Sequence, residues 1–220
     1  ALSPQEHPRL VFRKHQLSSL QEATKTPEGQ AIIKQLEKIL EQPIYYDGYV
    51  PTGGYHASGY CFLALINNDK ELANMGWKIV EKSLENPGRR LLEHSPIVAG
   101  VALAYDFCYS VWDQKQINTV TNWLGAQTKQ LVKGDSSRNG WNSNAGSNWN
   151  ARARGAAGLA ALAILNEPGI SNDEIYHLMR TAERNIKRYL STAIGNRRFG
   201  SEEEHYTTEP LILTIFPFLQ

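Results

Sequence analysis

Apolar positions in this chain recur at three- and four-residue intervals, and no run alternates apolar with polar residues as a half-buried strand would. The pattern predicts a succession of helices. After an extended opening over residues 7–12, where Pro8 biases His7 away from helix, a helix starts near Lys14 and turns Leu17 and Leu20 inward. Thr26-Pro27-Glu28 is a helix start, with Thr26 as cap and Pro27 in the first turn. Ile32, Ile33, Leu36, Ile39 and Leu40 follow at helical spacing, and the helix ends before Pro43. A loop over 44–54 leads to a helix over 55–66, broken by Asn67-Asn68-Asp69. The helix over 70–84 is expected to bury Leu72, Met75, Ile79, Val80 and Leu84, and Asn86-Pro87-Gly88 stops it.

Residues 91–112 form the most apolar stretch, with Pro96 expected in the first turn of its helix. Asp113 caps a helix burying Ile117, Val120, Trp123, Leu124 and Leu131. An Asn/Ser/Gly loop then runs into an Ala/Gly/Leu helix ending at Leu165, and Asn166-Glu167-Pro168-Gly169 is a stop and a turn. Ser171 with Glu174 three residues on has the capping-box pattern, opening a helix to about Leu190. A polar loop over 195–208 precedes a last apolar run from Pro210.

The expected class is all-α, built of consecutive antiparallel helical hairpins. Nearly all-apolar helices (91–112, 151–165) alternate with amphipathic ones (70–84, 171–190). That alternation favours an incomplete α/α toroid, with an inner set of helices buried on all sides and an outer set facing water. The last run has no stop signal, so the 220 residues read as the N-terminal part of one truncated toroid domain.

Charge and composition narrow the partners. A net charge of +1 supplies no bulk field for nucleic acid, so any acidic ligand must be held by placed residues. No apolar run is long enough to span a membrane. The first ten residues resemble a mature start left after signal removal. Cys61 and Cys108 both lie in apolar helical runs, and two buried free thiols are expected; one bridge between neighbouring helices stays open for an exported protein. No H-x-x-x-H or C-x-x-C spacing points to a metal, and no cofactor is expected.

Two loop-to-helix junctions carry the chemistry. The first joins Trp141 to Asn148, Trp149, Asn150, Arg152 and Arg154; the second runs from Arg197 through Glu202, Glu203, Glu204, His205 and Tyr206 to Glu209. Stacked hairpins would bring both junctions to the same rim. Such a cleft suits proton abstraction beside the carboxylate of a uronic acid, followed by β-elimination. The amide of Asn148 would hydrogen-bond the developing aci-carboxylate. Tyr206 would take the proton, its phenol acidified by Arg197 or Arg152, and Tyr206 or His205 would protonate the leaving oxygen. Trp141 and Trp149 offer faces for sugar rings. On spacing alone a hydrolase using Glu203 and Glu209 stands equally open. Bland readings also stand: Ser147 or Asn148 as a helix cap with Trp149 as a staple, Glu202–Glu204 as a solvated charge run, His205 as structural.

Four segments in order resemble the heparinase II/III-like and alginate-lyase group of polysaccharide lyases. They are H-P-R-L-V-F-R-K-H-Q-L from His7, I-V-A-G-V-A-L-A-Y-D-F-C-Y-S-V-W from Ile97, S-N-W-N-A-R-A-R-G-A-A-G-L-A-A-L-A from Ser147, and E-E-E-H-Y-T-T-E-P from Glu202. The resemblance implies an incomplete α/α toroid followed, in full-length members, by an antiparallel β-sandwich. It implies elimination cleavage of acidic polysaccharides such as glycosaminoglycans or alginate, in a secreted or periplasmic protein. It matches Asn148 to the carboxylate-neutralising asparagine and Tyr206 to the catalytic tyrosine. Trp149 stands where some members have a histidine, and the family's later histidine would fall beyond residue 220. A carbohydrate-binding or scaffold toroid without chemistry is the competing class.

Overall fold

The computed structural model describes residues 5–47, 51–85, 91–133, 144–194 and 211–219. Within them the regular elements are all helical. They are α1 (Leu17–Ala23), α2 (Pro27–Leu40), α3 (Gly53–Asn67), α4 (Lys70–Glu85), α5 (Leu91–Cys108), α6 (Gln114–Lys133), α7 (Asn148–Ile164) and α8 (Asn172–Tyr189). A π turn, Leu190–Ile194, extends α8, and a second, Leu211–Ile215, runs into the short α9 (Phe216–Leu219).

Polar side chains set several of the boundaries. Thr26 caps α2 by accepting from the Gly29 amide at 3.1 Å. Asn68 ends α3 in the left-handed conformation, and Asp69 opens α4 by accepting from the amides of Glu71 and Leu72. Asp113 and Gln116 form a reciprocal box at the start of α6, each side chain accepting from the other's amide at 2.8 Å. Two expectations fail here. Ser171 precedes α8 but makes no side-chain cap bond, and Pro96 lies inside α5 rather than in its first turn.

α3, α5 and α7 have no polar stripe, and their described side chains are almost all buried; α4, α6 and α8 each bury one face. One side-chain assignment needs correction. Met75 is exposed, because α4 turns Ala73, Gly76 and Ser83 inward beside Ile79 and Val80. Ile32 and Ile39 are exposed on α2, which packs on α3 through Ile33, Leu36 and Leu40. Small residues win the inward face of α4 because α3 lies close: a Cβ on Gly76 would sit 2.6 Å from the Cys61 sulfur.

Contacts along the helices fix their directions. A Cβ on Gly54 would lie 2.8 Å from the Ile97 carbonyl oxygen, and one on Gly100 would overlap the Gly54 backbone. Further along both helices Cys61 and Cys108 are joined, so α3 and α5 run parallel. The C-terminal half of α6 touches the starts of two apolar helices: Gln127 meets His94 of α5, and the carbonyls of Leu131 and Val132 accept from Arg154 of α7. The final segment lies along α7 in the same direction, with Thr214 against Gly155 and Phe218 against Gly158. The apolar helices therefore share one direction, and the amphipathic helices return antiparallel between them.

Cys61 and Cys108 form a disulfide with Cα atoms 5.3 Å apart, against the expectation of free thiols. Each sits in an apolar run, but the two runs face each other, which the linear pattern does not record. The bridge closes a separation of 47 residues, and its removal is expected to cost about 2–4 kcal/mol. Cys61→Ala/Cys108→Ala should lower the urea midpoint and steepen the slope, because the unbridged unfolded chain exposes more surface. An unchanged midpoint, or thiols that label in the unfolded unreduced protein, would contradict it.

Candidate functional site

The starts of α3, α5 and α7 lie at one end of the helix array. Ser147 is the cap of α7, its hydroxyl accepting from the Trp149 amide at 3.3 Å. Asn148 is thus the first helical residue and not the cap. Its side chain is buried, whereas Trp149 is 38% exposed. Asn150 is buried and donates to the Ala145 carbonyl at 3.4 Å; among the described residues its Oδ1 has no hydrogen-bond partner. Arg152 is buried within the helix. Arg154 closes the end of α6 through the Leu131 and Val132 carbonyls, and burial lowers its pKa to about 10. It is a brace between helices.

Two histidines share this end. His56 is the fourth residue of α3 and His94 the fourth of α5. A carbonyl only accepts, so at the 3.0 Å contact to Thr52 O the His56 Nδ1 carries a proton and donates, with Nε2 on the far side of the ring. That Nε2 is buried and has no partner among the described residues. His94 Nε2 pairs with Gln127 Oε1 at 2.6 Å. Burial lowers its pKa against the opposing effect of that hydrogen bond, which keeps the ring neutral. The start of α3 is held by the preceding loop: Thr52 Oγ1 accepts from the Tyr45 amide, and the amides of Thr52 and Gly53 donate to the Tyr45 carbonyl.

Of the residues that the sequence put forward, Asn148, Trp149 and Arg152 come together on the first two turns of α7. Trp141, Arg197, Glu202, His205 and Tyr206 lie outside the described residues, as do Glu203 and Glu209. The sequence let His56 and His94 approach the cleft rim through their loops, with no spacing argument; the structure sets both within helices. The usable signal was their equivalent place, one turn into successive apolar helices.

The opposite end carries a buried charged network that spacing did not reveal. Asp106 accepts from the amides of Arg9 and Leu10 and contacts His7 Nδ1 at 2.6 Å. The Arg9 guanidinium reaches the Glu6 and Leu165 carbonyls, His7 Nε2 and Glu167. Tyr109 donates to Glu167 at 2.6 Å, and its ring stacks on His7 with centroids 4.0 Å apart. Burial would raise the Glu167 pKa, but the hydrogen bonds from His7 and Tyr109 and the charge of Arg9 outweigh it and bring it down to about 2. Burial and Glu167 push the Tyr109 phenol up, so it remains a donor. With every partner internal, this network anchors residues 5–10 to α5 and to the end of α7.

No protein-family model matches the chain, and a search of curated proteins finds no match. The chemistry of the first end therefore rests on its own residues. At that end are the buried amides of Asn148 and Asn150, the Arg152 guanidinium, the imidazoles of His56 and His94, and the exposed indole of Trp149.

Proposed function

We propose that this chain is a polysaccharide lyase, or the helical part of one, that cleaves a uronic-acid polymer by β-elimination. The arrangement would be an incomplete α/α toroid, with α3, α5 and α7 inside and α4, α6 and α8 outside. The observation that carries the reading is the placement of Asn148. It is buried at the first position of an apolar helix whose cap is supplied by Ser147, among the starts of two parallel apolar helices.

The Asn148 amide donates to the substrate carboxylate and stabilises the aci-carboxylate that forms as the proton on C5 leaves. Tyr206, four residues before Pro210, takes that proton, assisted by the charges of Arg197 and Arg152. The C4–O bond breaks, a C4=C5 double bond forms, and the leaving oxygen is protonated by Tyr206 or His205. Trp149 and Trp141 stack on sugar rings, and Glu202 hydrogen-bonds their hydroxyls. The Cys61–Cys108 bridge supports an oxidising compartment, secreted or periplasmic.

Ultraviolet absorbance during incubation with heparan sulfate, chondroitin, hyaluronan, alginate and pectate tests the proposal. A rise from the unsaturated uronate, lost in Tyr206→Phe, is the expected result. New reducing ends without absorbance would replace the lyase with a hydrolase. Binding without either signal would leave a carbohydrate-binding scaffold.

A further inference from the structure

The second half of α8 and the π turn after it form a shallow basic groove of about 580 Å³, lined by Arg180, Glu183, Arg184, Lys187, Arg188 and Ser191. Arg180, Arg184 and Arg188 repeat every four residues and so share one stripe, with Lys187 beside it. The three arginines and Lys187 are exposed. Glu183 is the acidic side chain among the lining residues, and it pairs with Lys187 at 2.6 Å. Among the described lining residues the three arginines face solvent against a single carboxylate, Glu183, in a chain whose net charge is only +1. The stripe from Arg180 to Arg188 spans about 12 Å at the helical rise, long enough for several anionic groups of one extended chain. It lies on the outward face of an amphipathic helix, at the level where Ile186, Tyr189 and Ala193 pack with Ala151 at the start of α7.

We propose that this groove is a second binding site for an acidic polysaccharide, one that holds the polymer on the outer surface beside the catalytic end. Three observations choose this partner among polyanions. Guanidinium forks match the oxygens of sulfates and carboxylates in pairs. None of the lining residues is aromatic, so nucleobases would have nothing to stack on. The disulfide fits a compartment where extracellular polysaccharides are met. The site deepens the lyase reading by giving the same polymer a second foothold, but binding is measured without turnover.

The test is fluorescence-anisotropy titration of labelled heparin and alginate oligosaccharides at several salt concentrations. Wild type is compared with Arg180→Ala/Arg184→Ala/Arg188→Ala and with the triple lysine variant. The alanine variant is expected to bind at least about tenfold more weakly, with a shallower salt dependence. The lysine variant should retain most binding, and circular dichroism should match wild type in both. Turnover of a short oligosaccharide should be unchanged in the alanine variant, whereas failure of the lyase reading would show as no absorbance change in wild type. Equal affinity of wild type and the alanine variant would overturn the proposal. So would single-stranded DNA binding as tightly as the polysaccharides and losing affinity in parallel.

Discussion

Arg9→Ala is expected to destabilise the protein by about 3–5 kcal/mol, the usual cost of breaking a buried ion pair from one side. The Arg9 side chain is fully buried and Glu167 nearly so. Removing the guanidinium leaves the buried Glu167 carboxylate without its cation, though still bonded by Gln5, His7 and Tyr109, and leaves the Leu165 carbonyl, at the end of α7, without its donor. Arg9→Lys should recover only part, because one ammonium cannot reach Glu6, Leu165 and Glu167 together. Urea unfolding at neutral pH reads the effect, and a midpoint close to wild type would contradict it. The same pair predicts a pH dependence. Glu167 falls from its ordinary 4.5 to about 2 in the folded protein. A depressed carboxylate stabilises above its unfolded pKa and loses that contribution as the pH falls through the folded one. Roughly 3 kcal/mol should therefore disappear between pH 4.5 and 2. In Arg9→Ala that acid-induced loss should shrink.

Asn148→Ala should lower kcat on a uronate polymer by about 10²–10³, the effect of deleting one donor to a developing oxyanion. Ser147 supplies the helix cap, so the start of α7 does not depend on the Asn148 side chain; urea unfolding of the variant separates any stability loss from the effect on turnover. Asn148→Asp is the sharper variant. It keeps the shape, replaces the donor with a like charge facing the substrate carboxylate, and should be at least as inactive. Its KM should also rise as the repulsion weakens binding. Turnover within twofold of wild type in either variant, with unchanged circular dichroism, would remove Asn148 from the chemistry.

The helices were legible because their signals are local. Thr26, Asp69 and Asp113 cap the elements that they precede, and the stop at Asn166 falls where periodicity ends. What one dimension does not hold is which helix faces which. Met75 and Ala73 are both apolar, but only the smaller fits against α3. Cys61 and Cys108 look like two ordinary core thiols until α3 and α5 are laid side by side. Likewise the motif His7-Pro8-Arg9-Leu10 reads as an extended opening, and its purpose shows only with Asp106 and Glu167 folded around it. At the candidate site, Asn148 and Arg152 were legible from the polar residues interrupting an Ala/Gly run. His56 and His94 were legible only as histidines that approach the rim, because their shared level exists only between helices.

The alternating direction of the helices also sets the electric field. Each helix carries about half a positive charge at its amino end and half a negative one at its carboxyl end, from peptide dipoles that add along the axis. The starts of α3, α5 and α7 share their level with the ends of α6 and α8, where the α6 carbonyls accept from Arg154 and Ile186 and Tyr189 pack with Ala151. These opposed ends largely cancel between neighbours. An anion drawn to Asn148 must therefore be held by placed side chains, not by a backbone field.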